Sequence, residues 1–318
     1  MIDFQFQNRR EFLKYTAGCG LMLYGLNTDA HNEFLSNKEL TELQILYTND
    51  QHSRIEPFPS NDAKYPNEGG FAKRASIIEK YRNNFKNVLL LDAGDIFQGT
   101  PYFNFFHGDL DIDLMNKMRY DAATIGNHDF DGGIDILAKQ ITRANFPFVN
   151  CNYDFTGTPV AGKVHQHIII KKGKLKIGIT GCGVELDGLV PDKLYTSTKY
   201  LDPIKCVQEQ ADILKHQEHC HLVICLSHLG FKYDSKKISD IVLAQQTSNI
   251  DAIIGGHTHT FLEKPEIVKN KEEKNIIINQ VGWAGIQIGQ LDYSFEKSFR
   301  KKLSNHQTVI VDKKSSEK

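Results

Sequence analysis

Five apolar runs, each ending in a short polar cluster, constrain this chain more than any other feature. The runs read LQILYT, NVLLLDA, DAATI, HLVICL and IDAII. The clusters behind them are Asp50-Gln51-His52, Gly94-Asp95, Gly126-Asn127-His128-Asp129, Ser227-His228 and Gly256-His257-Thr258-His259. Short apolar runs between turn residues read as buried strands. Carboxylate, amide and imidazole groups therefore stand at five strand tips, where packing has no need of them. In open α/β sheets ligands bind outside the carboxyl ends of the strands. These donors are hard-to-borderline metal ligands, enough of them for two cations.

Strand and helix patterns alternate along the rest of the chain. Helical spacing is predicted over 70–83, over 109–119 with Leu110, Leu114 and Met118 four apart, over 131–144, over 202–218 and near 235–246. Asp202 and Pro203 open the fourth of these as cap and first-turn residue. HQHIII and LKIGITG read as a hairpin about Lys172-Gly173-Lys174, PFVNCNY as a single strand, and FQGTPYFNFFHG as a loop. NIIINQV, IQIGQLDYSF and QTVIV make the C-terminal part rich in strands. With 318 residues and 40% hydrophobic content, the chain can build one large core. One domain is expected over 41–312, after a polar leader at 31–40 and before a charged tail at 313–318.

The first thirty residues read as an address. Asn8-Arg9-Arg10-Glu11-Phe12-Leu13-Lys14 precedes an apolar stretch from Tyr15 to Leu26, and Thr28-Asp29-Ala30 offers a small-x-small cleavage site. That pattern reads as a twin-arginine export signal over 1–30. The stretch is shorter than the roughly 20 apolar residues of a stable span, so no stable membrane insertion is expected. The expectation is a soluble periplasmic protein. A formal net charge of −1 removes any basic field for nucleic acid. Six cysteines are too few for a disulfide scaffold. Cys220 and Cys225 fall in one predicted strand at an odd offset, facing opposite ways, and are not expected to bridge.

Finer cues lie around the clusters: Leu46-Tyr47-Thr48-Asn49-Asp50, Gly69-Gly70, Asp92-Ala93-Gly94-Asp95 followed by Gln98-Gly99-Thr100-Pro101, and Asn127-His128-Asp129-Phe130-Asp131. With them the chain resembles the calcineurin-like metallophosphoesterases, and within those the 5′-nucleotidase branch, from Thr41 to the C-terminus. The resemblance implies an α/β fold, a four-layer αββα sandwich of two mixed sheets flanked by helices. It implies that Asp50, His52 and His259 hold one divalent cation, that Asn127, His228 and His257 hold a second, and that Asp95 bridges them. A bridge needs two oxygens and a negative charge, imidazole suits Zn, Fe, Mn or Co, and the neutral Asn127 limits the negative charge that a phosphate must approach. His128 then resembles the catalytic histidine, with Asp131 as its orienting carboxylate. Helix capping would also account for Asp131.

The implied activity is hydrolysis of nucleoside 5′-monophosphates, or of another phosphate ester, outside the cytoplasm. The larger periplasmic members carry a C-terminal domain that binds the nucleoside, and this chain stops where that domain would begin. A separate polypeptide could supply it, making this a catalytic subunit; alternatively the domain works alone on a less selective set of esters. Cyclic 2′,3′-phosphodiesterase, nucleotide-sugar diphosphatase and thiosulfohydrolase-like activities occur on related scaffolds. A module that binds metal or phosphate without catalysis is the reading from another class.

Three other groups are discounted as sites. His216, His219, Cys220 and His221 are read as a helix end running into a buried strand. His165 and His167 are read as an exposed pair on one strand face. The aromatics Tyr102, Phe103, Phe105 and Phe106 are read either as a substrate mouth or as a hydrophobic anchor.

Overall fold

The structure, a computed structural model, describes residues 40–317. The export signal and all of the leader but Leu40 lie outside them. Two mixed sheets face each other. The first contains β1 (Thr41–Thr48), β2 (Val88–Asp92), β3 (Ala122–Ala123) and β4 (Phe148–Val149), with β5 (Tyr153–Asp154) standing apart and β6 (Val164–His165) at the edge. The second contains β7 (His167–Lys172) and β8 (Leu175–Gly183), then, beyond the stray β9 (Lys199–Tyr200), β10 (Leu222–His228), β11 (Ala252–Gly255), β12 (Glu266–Lys269) and β13 (Asn275–Asn279). Finally β14 (Gln287–Phe295) and β15 (Lys301–Ile310) return to the first sheet. The orders are β15-β14-β1-β2-β3-β4-β6 and β12-β13-β11-β10-β8-β7, while β5 pairs with β9 in a separate two-stranded sheet.

Burial on both faces explains the unbroken apolar runs. Leu43, Ile45 and Tyr47 of β1 and Leu89 and Leu91 of β2 meet Ile177, Ile224, Leu226 and Ile254 of the other sheet. Leu46 and Leu90 point the opposite way, onto Ile77, Ile112, Met115 and Leu137 of the helices Phe71–Asn84, Asp109–Met118 and Ile134–Arg143. Behind the second sheet, Cys225 and Ile253 pack on Val207 and Leu243 of the helices Pro203–Asp212 and Asp240–Gln246. The result is the expected helix–sheet–sheet–helix sandwich. Parallel pairing of β1 with β2, β2 with β3, and β10 with β11 brings five carboxyl ends to one edge of the sandwich.

Several local expectations are corrected. DAATI forms only the two-residue β3, beyond which the Thr124 hydroxyl donates to the Val149 carbonyl at 2.7 Å. PFVNCNY divides into β4 and β5, which belong to different sheets; Asn150 Oδ1 accepts the N–H groups of Asn152 and Tyr153 and makes the break. The helix expected from Asp131 starts at Ile134, and the one expected from Ser235 starts at Asp240, behind a Ser239 cap. FQGTPYFNFF contains a helix, Pro101–Phe106, and the charged tail forms a short helix, Lys313–Glu317. Asp202 caps its helix as expected, accepting the Ile204 N–H at 2.9 Å. The hairpin closes with Lys172 opposite Leu175, and Gly173 supplies the positive φ of 59° that the tight turn needs. Cys220 precedes β10 rather than lying in it, and it packs in a cluster apart from Cys225.

Candidate metal centre

The five clusters meet at the sandwich edge. Two groups of potential ligands form there: Asp50, His52 and His259, and Asp95, His228 and His257, with the atoms of each group within 4.8 Å of one another. In the first, His52 Nε2 and His259 Nε2 lie 2.9 Å apart, and Asp50 Oδ1 is 3.4 Å from His259 Nε2. In the second, His228 Nε2 is 3.0 Å from Asp95 Oδ2. Asn127 joins the second group through His257, whose Nδ1 is 2.8 Å from Asn127 Oδ1. The groups touch: Asp95 Oδ2 is 3.9 Å from His52 Nε2, and Asp50 Oδ1 is 3.9 Å from His228 Nε2.

The donors fit cations better than they fit one another. His228 Nδ1 donates to the Ala93 carbonyl at 2.7 Å, which leaves the neutral ring a bare Nε2 lone pair facing two carboxylates. His228 is fully buried, and that Nε2 has no hydrogen-bond partner. Burial opposes charge on the ring, yet the Asp95 carboxylate pushes its pKa up to about 10. Burial would raise Asp95, but the His228 beside it pulls the carboxyl below its usual range. A cation between them would relieve the same field. Burial holds His52 low and brings His257 down to about 4, so these two rings stay neutral and present lone pairs.

Local backbone geometry aims these side chains. Asp50, His52, Asp95, His257 and His259 all have left-handed φ, at 49°, 51°, 55°, 74° and 51°. Such conformations cost about 1–3 kcal/mol each for residues other than glycine and gather at functional sites. The loops behind β1 and β2 are zipped together by Asp50 N–H to Gly94 O, His52 N–H to Asp95 O and Ser53 N–H to Ile96 O. Gly126 is required by close approach, since a Cβ there would sit 2.2 Å from Asp95 Oδ1 and 2.6 Å from His228 Nε2.

Asp95 Oδ1 accepts the His128 N–H at 2.8 Å, and its Oδ2 lies 3.0 Å from His228 Nε2 and 3.9 Å from His52 Nε2, between histidines of both groups. His128 lies outside both ligand groups, its ring 5.3 Å from that of His52. Asp131 Oδ2 is 2.7 Å from His128 Nδ1. That bond, above all, raises the His128 pKa above 6.5. Asp131 therefore orients the imidazole, and no side chain caps the helix that follows.

Some contributors were not singled out from the sequence. Gln51, between two candidate ligands, donates to Asp92 Oδ2 at 2.8 Å and accepts from the fully buried Arg74. Trp283, the chain's single tryptophan, stacks on His259 with centroids 5.6 Å apart and planes at 6°. Neither has a local sequence signal, because both partners are distant in the chain. Asp129 stands inside one of the five clusters, and nothing in its neighbours assigns it a role.

The discounted groups lie elsewhere. His221 stacks on Phe299 at 3.8 Å, and His216, in the helical turn Ile213–Gln217, contacts Asn249. His165 and His167 do not share a strand face: the chain crosses from one sheet to the other between them, and His167 contacts Gln210 at 2.6 Å. The aromatics divide their work. Phe103 is buried on Phe97, whereas Tyr102, Phe105 and Phe106 border a groove of about 710 Å³ that also includes Arg54.

Residues 43–261 match the family model described as Calcineurin-like phosphoesterase. The chain is 31% identical over 296 residues to the snake venom 5′-nucleotidase of Crotalus adamanteus, which covers 87% of this chain and 49% of that protein. Identity to the 5′-nucleotidase of Homo sapiens is 30% over 277 residues, 80% of this chain and 47% of that one. The crystal structure of a 5′-nucleotidase precursor from Thermus thermophilus superposes with a TM-score of 0.77 at 28% identity, over 86% of this chain and 55% of that chain. The chain spans about half the length of the curated relatives it matches.

Proposed function

The chain belongs to the calcineurin-like phosphoesterase family, and from that premise we infer that it hydrolyses phosphate monoesters, with nucleoside 5′-monophosphates as the substrate class. The observation that carries this reading is the pair of ligand groups that meet at Asp95 Oδ2, next to an imidazole held by its own carboxylate. In this reading Asp50, His52 and His259 hold one cation, Asn127, His228 and His257 the other, and Asp95 belongs to both. Divalent cations in such a site supply Lewis-acid charge neutralisation and acidify water. Mn, Zn, Fe and Co all suit the donor set. Asp131 fixes Nδ1 of His128, and the other ring nitrogen is left for the substrate. The Asp131 hydrogen bond raises the pKa of that imidazole and so favours its protonated form, which can stabilise phosphoryl charge or donate a proton to the leaving oxygen.

The catalytic domain in this reading is 41–312. Relatives named as 5′-nucleotidases support the nucleotide as substrate. A separate polypeptide carrying a nucleoside-binding surface is part of the same proposal, and so is export by the twin-arginine route. Among the described residues no helix is long and apolar enough to cross a membrane. Mature protein recovered in the cytosolic fraction would remove the export reading.

The deciding experiment is a substrate panel of AMP, UMP, a 2′,3′-cyclic nucleotide and a nucleotide-sugar. It is run after chelation and again after Mn, Zn or Co is restored. Chelation is expected to stop turnover and one of the metals to restore it, with the monophosphates preferred. Preference for the cyclic ester or the nucleotide-sugar moves the assignment to those activities. A metal-replete protein inert toward every ester overturns catalysis and leaves a binding module. Faint activity that rises when a candidate partner polypeptide is added supports the split arrangement.

A further inference from the structure

We propose that Asp129 is a positioning residue: its carboxylate locks the loop behind β2 to the loop behind β3, and so sets how Asp95 faces the two histidine groups. The proposal rests on the metal reading given above.

Gly94 and Asp95 both have left-handed backbone, with φ of 88° and 55°. Such turns direct successive amides into one concavity of the kind that binds anions. Here the chain supplies its own anion. Asp129 Oδ2 accepts the N–H of Asp95 at 3.1 Å and of Gly126 at 2.8 Å. Its Oδ1 accepts the N–H of Ile96 at 2.8 Å and of Phe97 at 3.2 Å. Asp129 is 1% exposed, so these four main-chain donors meet a desolvated carboxylate, where charge-assisted bonds are strong.

The link is reciprocal. Asp95 Oδ1 accepts the His128 N–H at 2.8 Å. Each loop's aspartate is therefore bound by the other loop's main chain. Because Oδ1 of Asp95 is held in this way, Oδ2 is turned toward His228 at 3.0 Å and His52 at 3.9 Å. The same bonds fix the backbone that carries Asn127 and His128. The full pattern ends on the side chain common to both ligand groups.

The test uses Mn(II) alone, on the full chain and on Asp129→Asn. The amide keeps the shape of the carboxylate but turns one acceptor into a donor that faces N–H groups. The native chain is expected to bind a pair of Mn(II) ions with an exchange-coupled electron paramagnetic resonance signal. The variant is expected to melt cooperatively, to bind at least one ion about 10–100-fold more weakly, and to lose the coupled signal. A variant that binds the pair with native affinity and native coupling overturns the role, whatever its Tm. Should Asp129→Asn not fold, Asp129→Glu keeps the charge and moves it by one methylene. Altered coupling in that folded variant supports the role, and native coupling overturns it. A native chain that takes up no Mn(II) pair sinks the metal reading itself, so the two failures are told apart.

Discussion

Asp95→Ala is expected to lower phosphatase turnover by about 10³-fold or more, since charge stabilisation by bound cations is worth several kcal/mol and each 1.36 kcal/mol is a decade. Asp95 Oδ2 is the oxygen that faces both ligand groups, so the variant is also expected to bind fewer cations than the native chain by elemental analysis. Retention of full metal content together with native turnover would place the shared ligand elsewhere. In the chelated protein the substitution has a pH signature as well. Burial opposes charge on His228, but Asp95 raises its pKa from 6.5 to about 10. A raised imidazole pKa stabilises the fold fully below the unfolded value and ceases to do so as pH climbs through the folded one. The stability gap between native and variant, both metal-free, should therefore be wide near pH 6.5 and close as pH passes about 10. A gap independent of pH would mean that the two groups do not interact.

His128→Ala is expected to cost about 10²- to 10⁴-fold in kcat, the usual worth of a positioned acid or base. Metal content should stay native, because the ring lies outside both ligand groups. Loss of metal would instead make His128 a ligand. Asp131→Asn tests the same pair through pH. The Asp131 hydrogen bond raises the His128 pKa, so activity that needs the imidazolium is present below that pKa and falls as pH rises through it. Cations bound nearby would oppose the carboxylate without removing its contribution. The alkaline limb of kcat should therefore move to lower pH in Asp131→Asn. An unmoved limb would mean that another group sets it.

Much of the site was readable because its parts are local. An apolar run followed by Asp-x-His or Gly-His-Thr-His places donors at a strand tip whatever the rest of the chain does. The hairpin at Gly173 and the cap at Asp202 depend likewise on neighbours only. Misreadings fell where a side-chain capture or the sheet pairing overrode a periodic pattern. Asn150 captures two amides and breaks a strand that periodicity alone runs straight through. His165 and His167 look like one face until pairing assigns them to separate sheets.

By itself the sequence determined which donors exist, that each ends a strand, and that their chemistry suits divalent cations, since residue type and short-range periodicity suffice for all three. Tertiary structure alone decided that β1, β2 and β3 of one sheet meet β10 and β11 of the other, that Asp95 turns a single oxygen to both groups, and that Asp129 gathers four amides. The physical reason is range. Those contacts join residues up to some 200 positions apart, such as His52 and His259, and they are set by sheet register and close packing, which no stretch of neighbouring residues encodes.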